Sequence, residues 1–265
     1  MRAALVDIGA NLGHNSFDQD LSEVLERAQQ AGIEHIIVTG TSLTSTSKAL
    51  ALTERFTGLS ATAGVHPHEA QHCSMEEFSQ IAKLATDSRV KAVGETGLDF
   101  NRDYSPRPLQ EKLFAQQLEL ACVLQKPVFL HQRDAHERFY PMLKEYRDQL
   151  QAGGVVHCFT GTKEELYDYL DMDMYIGITG WICDERRGKH LLPLIRDIPA
   201  DRLLLETDAP YLLPRSLKPK PASRRNEPAW LVEVLETVAR CAEKPGALIA
   251  EQTRANAIRL FALEL

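Results

Sequence analysis

Short apolar runs and stretches of helical period alternate along the whole chain. Residues 3–8 read as a first strand, and residues 18–31, with Leu21, Val24, Leu25 and Ala28 on one face, as a first helix closed by Gly32. Strand-like runs follow at 33–39, at 60–65, from 90 to Glu95, from 127 to His131, from 154 to His157, at 174–179 and at 203–208. Helical stretches lie between them: 44–56, 75–85, through Leu109, Leu113, Leu120 and Leu124, through Phe139, Met142, Leu143 and Tyr146, 163–170, and near 189–196. Two more, at 229–242 and 246–263, finish the chain. Eight strands, each followed by helix, predict a closed (β/α)8 TIM barrel that takes in residues 1–265 as a single domain. An open, doubly wound sheet is the competitor, and no Gly-x-Gly-x-x-Gly turn follows the first strand to support it.

Four of these runs stop on a residue able to bind a metal: Glu95, His131, His157 and Asp208. Taken singly each has an ordinary reading, Glu95 as a solvated turn residue and either histidine as hydrogen-bonded core. Taken together they fall at the carboxyl ends of barrel strands, where the active sites of such folds are assembled. Imidazole and carboxylate can hold a divalent ion, leave positions open and acidify water. Glu95 has two oxygens and is able to bridge two ions, His131 and His157 are nitrogen ligands, and Asp208 can ligate or accept the proton of an attacking water. Glu206 shares the strand parity of Asp208 and is expected to orient a ligand from behind. His66 and His68, in a His-Pro-His turn, have a weaker claim; His14, His35, His72, His136 and His190 are read as structural or exposed.

A net charge of −7 would repel a polyanion, so any grip on nucleic acid must be local. Residues 209–226 supply one such patch, with Arg215, Lys218, Lys220, Arg224 and Arg225, no acid, and four stiffening prolines; Arg186, Arg187 and Lys189 lie after strand seven. Loops after strands seven and eight are frequent phosphate sites in barrels, although basic loops are also commonly plain solvated surface. Phe100, Tyr104, Phe159, Trp181 and Tyr211 border the same rim as candidates for stacking on unpaired bases. No run approaches the roughly 18 apolar residues of a membrane span. The amino end lacks a signal-peptide core, and five cysteines without paired spacing suit a reducing, cytoplasmic setting.

The blocks Gly94-Glu-Thr-Gly-Leu-Asp99, Val65-His-Pro-His68, His131-Gln-Arg-Asp-Ala-His136, His157-Cys-Phe-Thr-Gly161 and Glu206-Thr-Asp-Ala-Pro-Tyr211 resemble the TatD family of metal-dependent deoxyribonucleases through nearly the whole chain. Gly177-Ile-Thr-Gly-Trp181, Cys183-Asp-Glu-Arg-Arg-Gly188 and the segment Lys218 to Pro228 are similar to one branch of it. The resemblance implies a magnesium-dependent barrel nuclease of the metallo-dependent hydrolase type, a 3'-5' exonuclease on single-stranded DNA, with RNA as a further substrate, in DNA repair or degradation. Most of the wider family carries His-x-His at the end of strand one, where this chain has Gly9 and Asn11. Losing two nitrogen ligands weakens one half of a binuclear site and favours Mg²⁺, a hard ion that keeps its waters, over a tightly held zinc pair.

The expectations are therefore a monomeric phosphodiester hydrolase with Glu95 and Asp208 catalytic. Glu95, His131, His157 and Asp208 hold Mg²⁺ in one site, with room for a second ion and with Mn²⁺ or Zn²⁺ as alternatives. His66, Arg133, Arg215, Lys220, Arg224 and Arg225 contact the substrate. An amidohydrolase-like enzyme, a D-aminoacyl-tRNA deacylase and a non-catalytic nucleic-acid-binding barrel are the competing functions.

Overall fold

The structure, a computed structural model, describes residues 4–265; the expected start of the first strand at Ala3 lies outside them. Eight strands form one parallel sheet in sequence order: β1 Leu5–Ala10, β2 Ile33–Val38, β3 Leu59–Ala63, β4 Val90–Asp99, β5 Val128–Arg133, β6 Gly154–Val156, β7 Tyr175–Ile178 and β8 Leu203–Leu205. Helices α1 Leu21–Ala31, α2 Leu43–Arg55, α3 Met75–Leu84, α4 Arg107–Leu124, α5 His136–Tyr146, α6 Lys163–Asp171 and α7 Leu191–Leu194 make the crossovers, and α8 Leu231–Ala242 and α9 Gly246–Phe261 follow β8.

Beyond the last ladder residues the sheet closes on itself. Asp208 N donates to Gly9 O at 2.8 Å and Asn11 N to Ala209 O at 2.6 Å. The carboxylate of Asp7, fully buried, clasps the same junction: Oδ1 accepts from Thr207 N at 2.9 Å and Oδ2 from Thr207 Oγ1 at 2.5 Å. Val6, Ile8, Ile37, Ala92, Phe129, Val155, Tyr175 and Leu204 fill the inside of the barrel, with Ala257, Leu260 and Phe261 of α9 packed against them. A larger apolar layer joins the outside of the sheet to the helices. This makes the barrel a packed core and leaves chemistry to the strand ends.

Three expectations are corrected. The helix expected near 189–196 is only the single turn α7, which includes Pro193. β8 leaves the ladder at Leu205, although Glu206 N still reaches Ile178 O at 3.1 Å, and Asp208 turns to a positive φ of 56°. Leu109 is 40% exposed, because the buried face of α4 runs through Gln110, Leu113, Phe114, Gln117, Leu118 and Ala121, one residue and so about 100° further round.

The two glutamines on that face fix strand ends that bear functional side chains. Gln117 Oε1 accepts from Val65 N at 2.7 Å and its Nε2 donates to Val65 O, beside His66. Gln110 does the same for Asp99, accepting from its N–H at 2.9 Å and donating to its carbonyl at 3.2 Å.

Candidate metal centre and nucleic-acid interface

Glu95 sits on β4 between Gly94 and Gly97, whose φ values of 144° and 146° L side chains rarely adopt. A Cβ on Gly97 would run into the carbonyl of His131, and one on Gly94 into that of Phe129, so the glycines allow β4 to lie close along β5. Three imidazoles converge on one oxygen, Glu95 Oε1: His157 Nε2 at 2.8 Å, His131 Nδ1 at 2.9 Å and His66 Nε2 at 3.2 Å. Two residues further along β4 from Gly97, the buried Asp99 places Oδ2 2.6 Å from His68 Nε2 and 3.4 Å from His131 Nε2. The sequence reading assigns Asp99 no role, although counting in twos along the strand from Glu95 through Gly97 reaches it on the same face.

Glu206 stands behind His157. Its carboxylate fits between Gly9 and Gly177, where an added Cβ would come within 2.6 Å of Oε2 and Oε1 respectively. Cys158 N donates to Oε1 at 2.5 Å, and His157 Nδ1 lies 3.3 Å from Oε2. A proton on His157 Nδ1 directed at Glu206 leaves Nε2 as the ligating nitrogen, the usual arrangement for a metal-bound histidine. Asp208 Oδ1 accepts from Asn11 Nδ2 at 2.9 Å.

The charges in this cluster are strongly coupled. Burial pushes the Glu95 carboxyl up, but the charge of His157 and the bonds from His131 and His157 outweigh it and hold the group well below the usual range. The His157 imidazole, opposed by burial, is raised well above its ordinary value by Glu95 and Glu206. His131 is also raised, against burial, by the neighbouring carboxylates of Asp99 and Glu95. Burial takes His66 down to about 4, so its ring is neutral. Burial, with the charges of Glu95 and Glu206 and against His157, takes Asp208 up to about 7.

His66, Glu95 and His131 offer ligand atoms that all lie within 4.8 Å of one another, a grouping able to bind a metal. The hydrogen bonds divide their roles. His66 Nδ1 accepts from His68 N at 3.0 Å, which assigns the proton of the neutral ring to Nε2 and makes that nitrogen a donor to Glu95. His131 Nε2, in contrast, is buried with no well-directed hydrogen bond, Asp99 Oδ2 standing 3.4 Å away. An imidazole nitrogen so weakly held and the mutual repulsion of Glu95, Glu206 and Asp208 suit the arrival of a divalent cation.

These groups open into a cavity of about 500 Å³ at the carboxyl ends of the strands, lined by Asn11, Thr41, His66, His68, Glu69, Glu95, Arg102, Tyr104, His131, Gln132, Arg133, His157, Cys158, Thr160, Asp208 and Tyr211. Glu95, His131, His157, Asp208, His66 and Arg133 are thus brought together. Arg215, Lys220 and Arg224 line a neighbouring groove of about 800 Å³ between the loops after β7 and β8. Arg225 lies elsewhere, donating to Ser16 O, to both oxygens of Asp20 and to Glu227 Oε1 at 2.6–2.8 Å. Most arginines are likewise spent in ion pairs, among them Arg27, Arg89, Arg107, Arg138 and Arg254. Arg102 and Arg133 in the cavity have no acidic partner among the described residues; Arg102 was not foreseen from sequence. Of the rim aromatics, Phe159 is core at 4% exposed and Phe100 is covered by Arg107, while Tyr104 and Tyr211 are 57% and 52% exposed.

The description "TatD related DNase" belongs to the family whose model matches residues 6–262. A "3'-5' ssDNA/RNA exonuclease TatD" of Cronobacter turicensis is 51% identical over 257 residues, 97% of each chain. A protein of the same name from Klebsiella pneumoniae is 48% identical over 98% of this chain and 99% of its own. Among solved structures, the TatD homologue YJJV of Escherichia coli K12 superposes with a TM-score of 0.91 at 30% identity, covering all of both chains. A TatD family hydrolase of Entamoeba histolytica gives 0.89 at 26% identity over 98% of this chain and 99% of that one.

Proposed function

The chain belongs to the TatD related DNase family, and from that premise we propose that it is a metal-dependent exonuclease that hydrolyses phosphodiester bonds at the 3' end of single-stranded DNA and RNA. The observation that carries the reading is the convergence of Glu95, His131, His157 and Asp208 on a cavity whose free cations are Arg102 and Arg133. A neutral small molecule would have no use for two unpaired guanidinium groups beside a carboxylate-rich centre; a phosphodiester has.

Glu95, His131, His157 and Asp208 would hold the cation, Mg²⁺ being the choice for a site with two carboxylates and few nitrogens. When bound, the ion supplies Lewis-acid chemistry toward the phosphate and a nucleophilic water. The protein's own groups do the rest. Glu206 keeps His157 in the required tautomer. Arg102 and Arg133 bind phosphate oxygens, and His66 donates from Nε2. Asp208, oriented by Asn11, receives the proton of the attacking water. The exposed rings of Tyr104 and Tyr211 accept an unpaired base, which favours single strands without choosing a sequence.

No helix of the described residues is long and apolar enough to cross a membrane. A cytoplasmic monomer acting in DNA repair or degradation fits the five free cysteines and the single barrel. The test is cleavage of end-labelled single-stranded DNA and RNA with Mg²⁺ and with chelator, alongside His131→Ala and His157→Ala. Metal-dependent release of mononucleotides, lost in both variants with the fold retained, is expected. Undiminished turnover in the variants overturns the site, and turnover of a lactone but of neither nucleic acid overturns the function.

A further inference from the structure

We propose that the groove between the loops after β7 and β8 is an extended subsite that holds the nucleotides on the 5' side of the scissile bond, so that the enzyme favours longer single strands over short ones. The proposal rests on the exonuclease reading and deepens it.

Three observations carry it. The groove is basic in an acidic protein: five basic residues against Asp184 and Glu185, where the whole chain has a net charge of −7. Within it, pairing separates the cations. Asp184 and Glu185 are held by Arg187 at 3.0 Å and by Arg215 at 2.8 Å, whereas Lys220 and Arg224 have no partner among the described residues. Two unneutralised charges on a proline-rich loop suit a polyanion passing over them.

The groove also meets the cavity. Arg133 lines the cavity, and its guanidinium lies 4.9 Å over the ring of Trp181, which lines the groove. Tyr211 of the cavity is followed in the chain by Leu212 of the groove. The half-buried Trp181 ring carries the guanidiniums of Arg187 at 4.3 Å and of Arg133 at 4.9 Å, so it holds a cation of the groove and a cation of the cavity side by side along the path of a strand. A strand whose 3' nucleotide occupies the cavity would thus leave past Arg133 and Trp181 toward Lys220 and Arg224.

The test uses 5'-labelled oligothymidylates from dinucleotide to dodecanucleotide with the Mg²⁺-loaded enzyme. kcat/KM is expected to rise with length and then level off. In the double variant Lys220→Ala with Arg224→Ala, the ratio of kcat/KM for the dodecanucleotide to that for the dinucleotide should fall about tenfold, about threefold for each exposed contact. The slope of log KM against log salt for the dodecanucleotide should flatten by about 1.4, two phosphate contacts at about 0.7 each on a single strand. The pair Lys220→Arg with Arg224→Lys should restore both. An active enzyme with no length dependence, or a double variant with an unchanged ratio and salt slope, refutes the groove while leaving the exonuclease intact. A wild-type enzyme that cleaves no oligonucleotide refutes the exonuclease and the groove with it.

Discussion

Replacing Asp7 by asparagine should change how the stability of the protein depends on pH. Asp7 is fully buried, and burial, only partly offset by its bonds from Thr207 and Gly9, raises its pKa from 3.8 to about 7. Since the folded value lies above the unfolded one, the native state binds this proton more tightly. The resulting stability is complete below about pH 4, declines by about 1.4 kcal/mol per pH unit through the window up to pH 7, and is gone above it. Between pH 5 and pH 8 the loss integrates to about 2.5 kcal/mol. Asparagine has no such proton and can keep the clasp: its oxygen accepts from Thr207 N and Gly9 N, and its amide donates to Thr207 Oγ1, a hydroxyl able to reverse its role. Melting curves of metal-free wild type and Asp7→Asn at pH 5 to 8 should therefore diverge. The difference in Tm should move in the variant's favour by about 5–10 °C across that range. A Tm difference that stays constant with pH would show that Asp7 titrates normally and that its burial carries no electrostatic cost.

Other substitutions probe the centre itself. Asp208→Asn should lower kcat at least about 100-fold, the low end for losing a general base, while oligonucleotide affinity changes little; a kcat near wild type removes Asp208 from the chemistry. Glu206→Gln supplies one acceptor oxygen where Cys158 N and His157 need two, so divalent-metal affinity measured by calorimetry should weaken about 10–100-fold, and an unchanged affinity would deny Glu206 its orienting part. Arg225→Ala should cost about 1–2 kcal/mol in chemical denaturation and leave KM for DNA alone, because its guanidinium is committed to Asp20 and Glu227; a raised KM would return it to the substrate interface.

What could be read from the sequence depended on how far apart the interacting residues lie. Glu95, His131 and His157 are legible because each marks a local event, an apolar run that stops on a polar residue, even though β4 and β5 themselves run on to Asp99 and Arg133. Asp99 was hidden because β4 does not stop at Glu95: it continues through Thr96 and Gly97, residues that look like a turn, and only the ladder with β5 keeps them extended. Pairing of cations was illegible for a different reason. Arg224 and Arg225 are neighbours of identical type, yet among the described residues one has no partner and the other is bound to Asp20, 205 residues away in the chain. Proximity of that kind is made by barrel closure, which no window of sequence contains. The cavity cation Arg102 lies beyond that hidden continuation of β4, where no apolar run marks it.

The lodging of Glu206 between Gly9 and Gly177 restricts how this centre can change. A side chain introduced at position 9 alone collides with Oε2 of Glu206, and one at 177 with Oε1. Shortening Glu206 would not by itself clear the space at position 9, because Phe129 Cζ stands 2.9 Å from an added Cβ there, and it would strip His157 and Cys158 of their shared acceptor. Both obstacles at position 9 are the far ends of side chains, so the cost of a larger residue there falls on the seat of His157 and Cys158 and not on the backbone. Directed evolution toward a second tightly bound ion should therefore vary positions 9, 129 and 206 together.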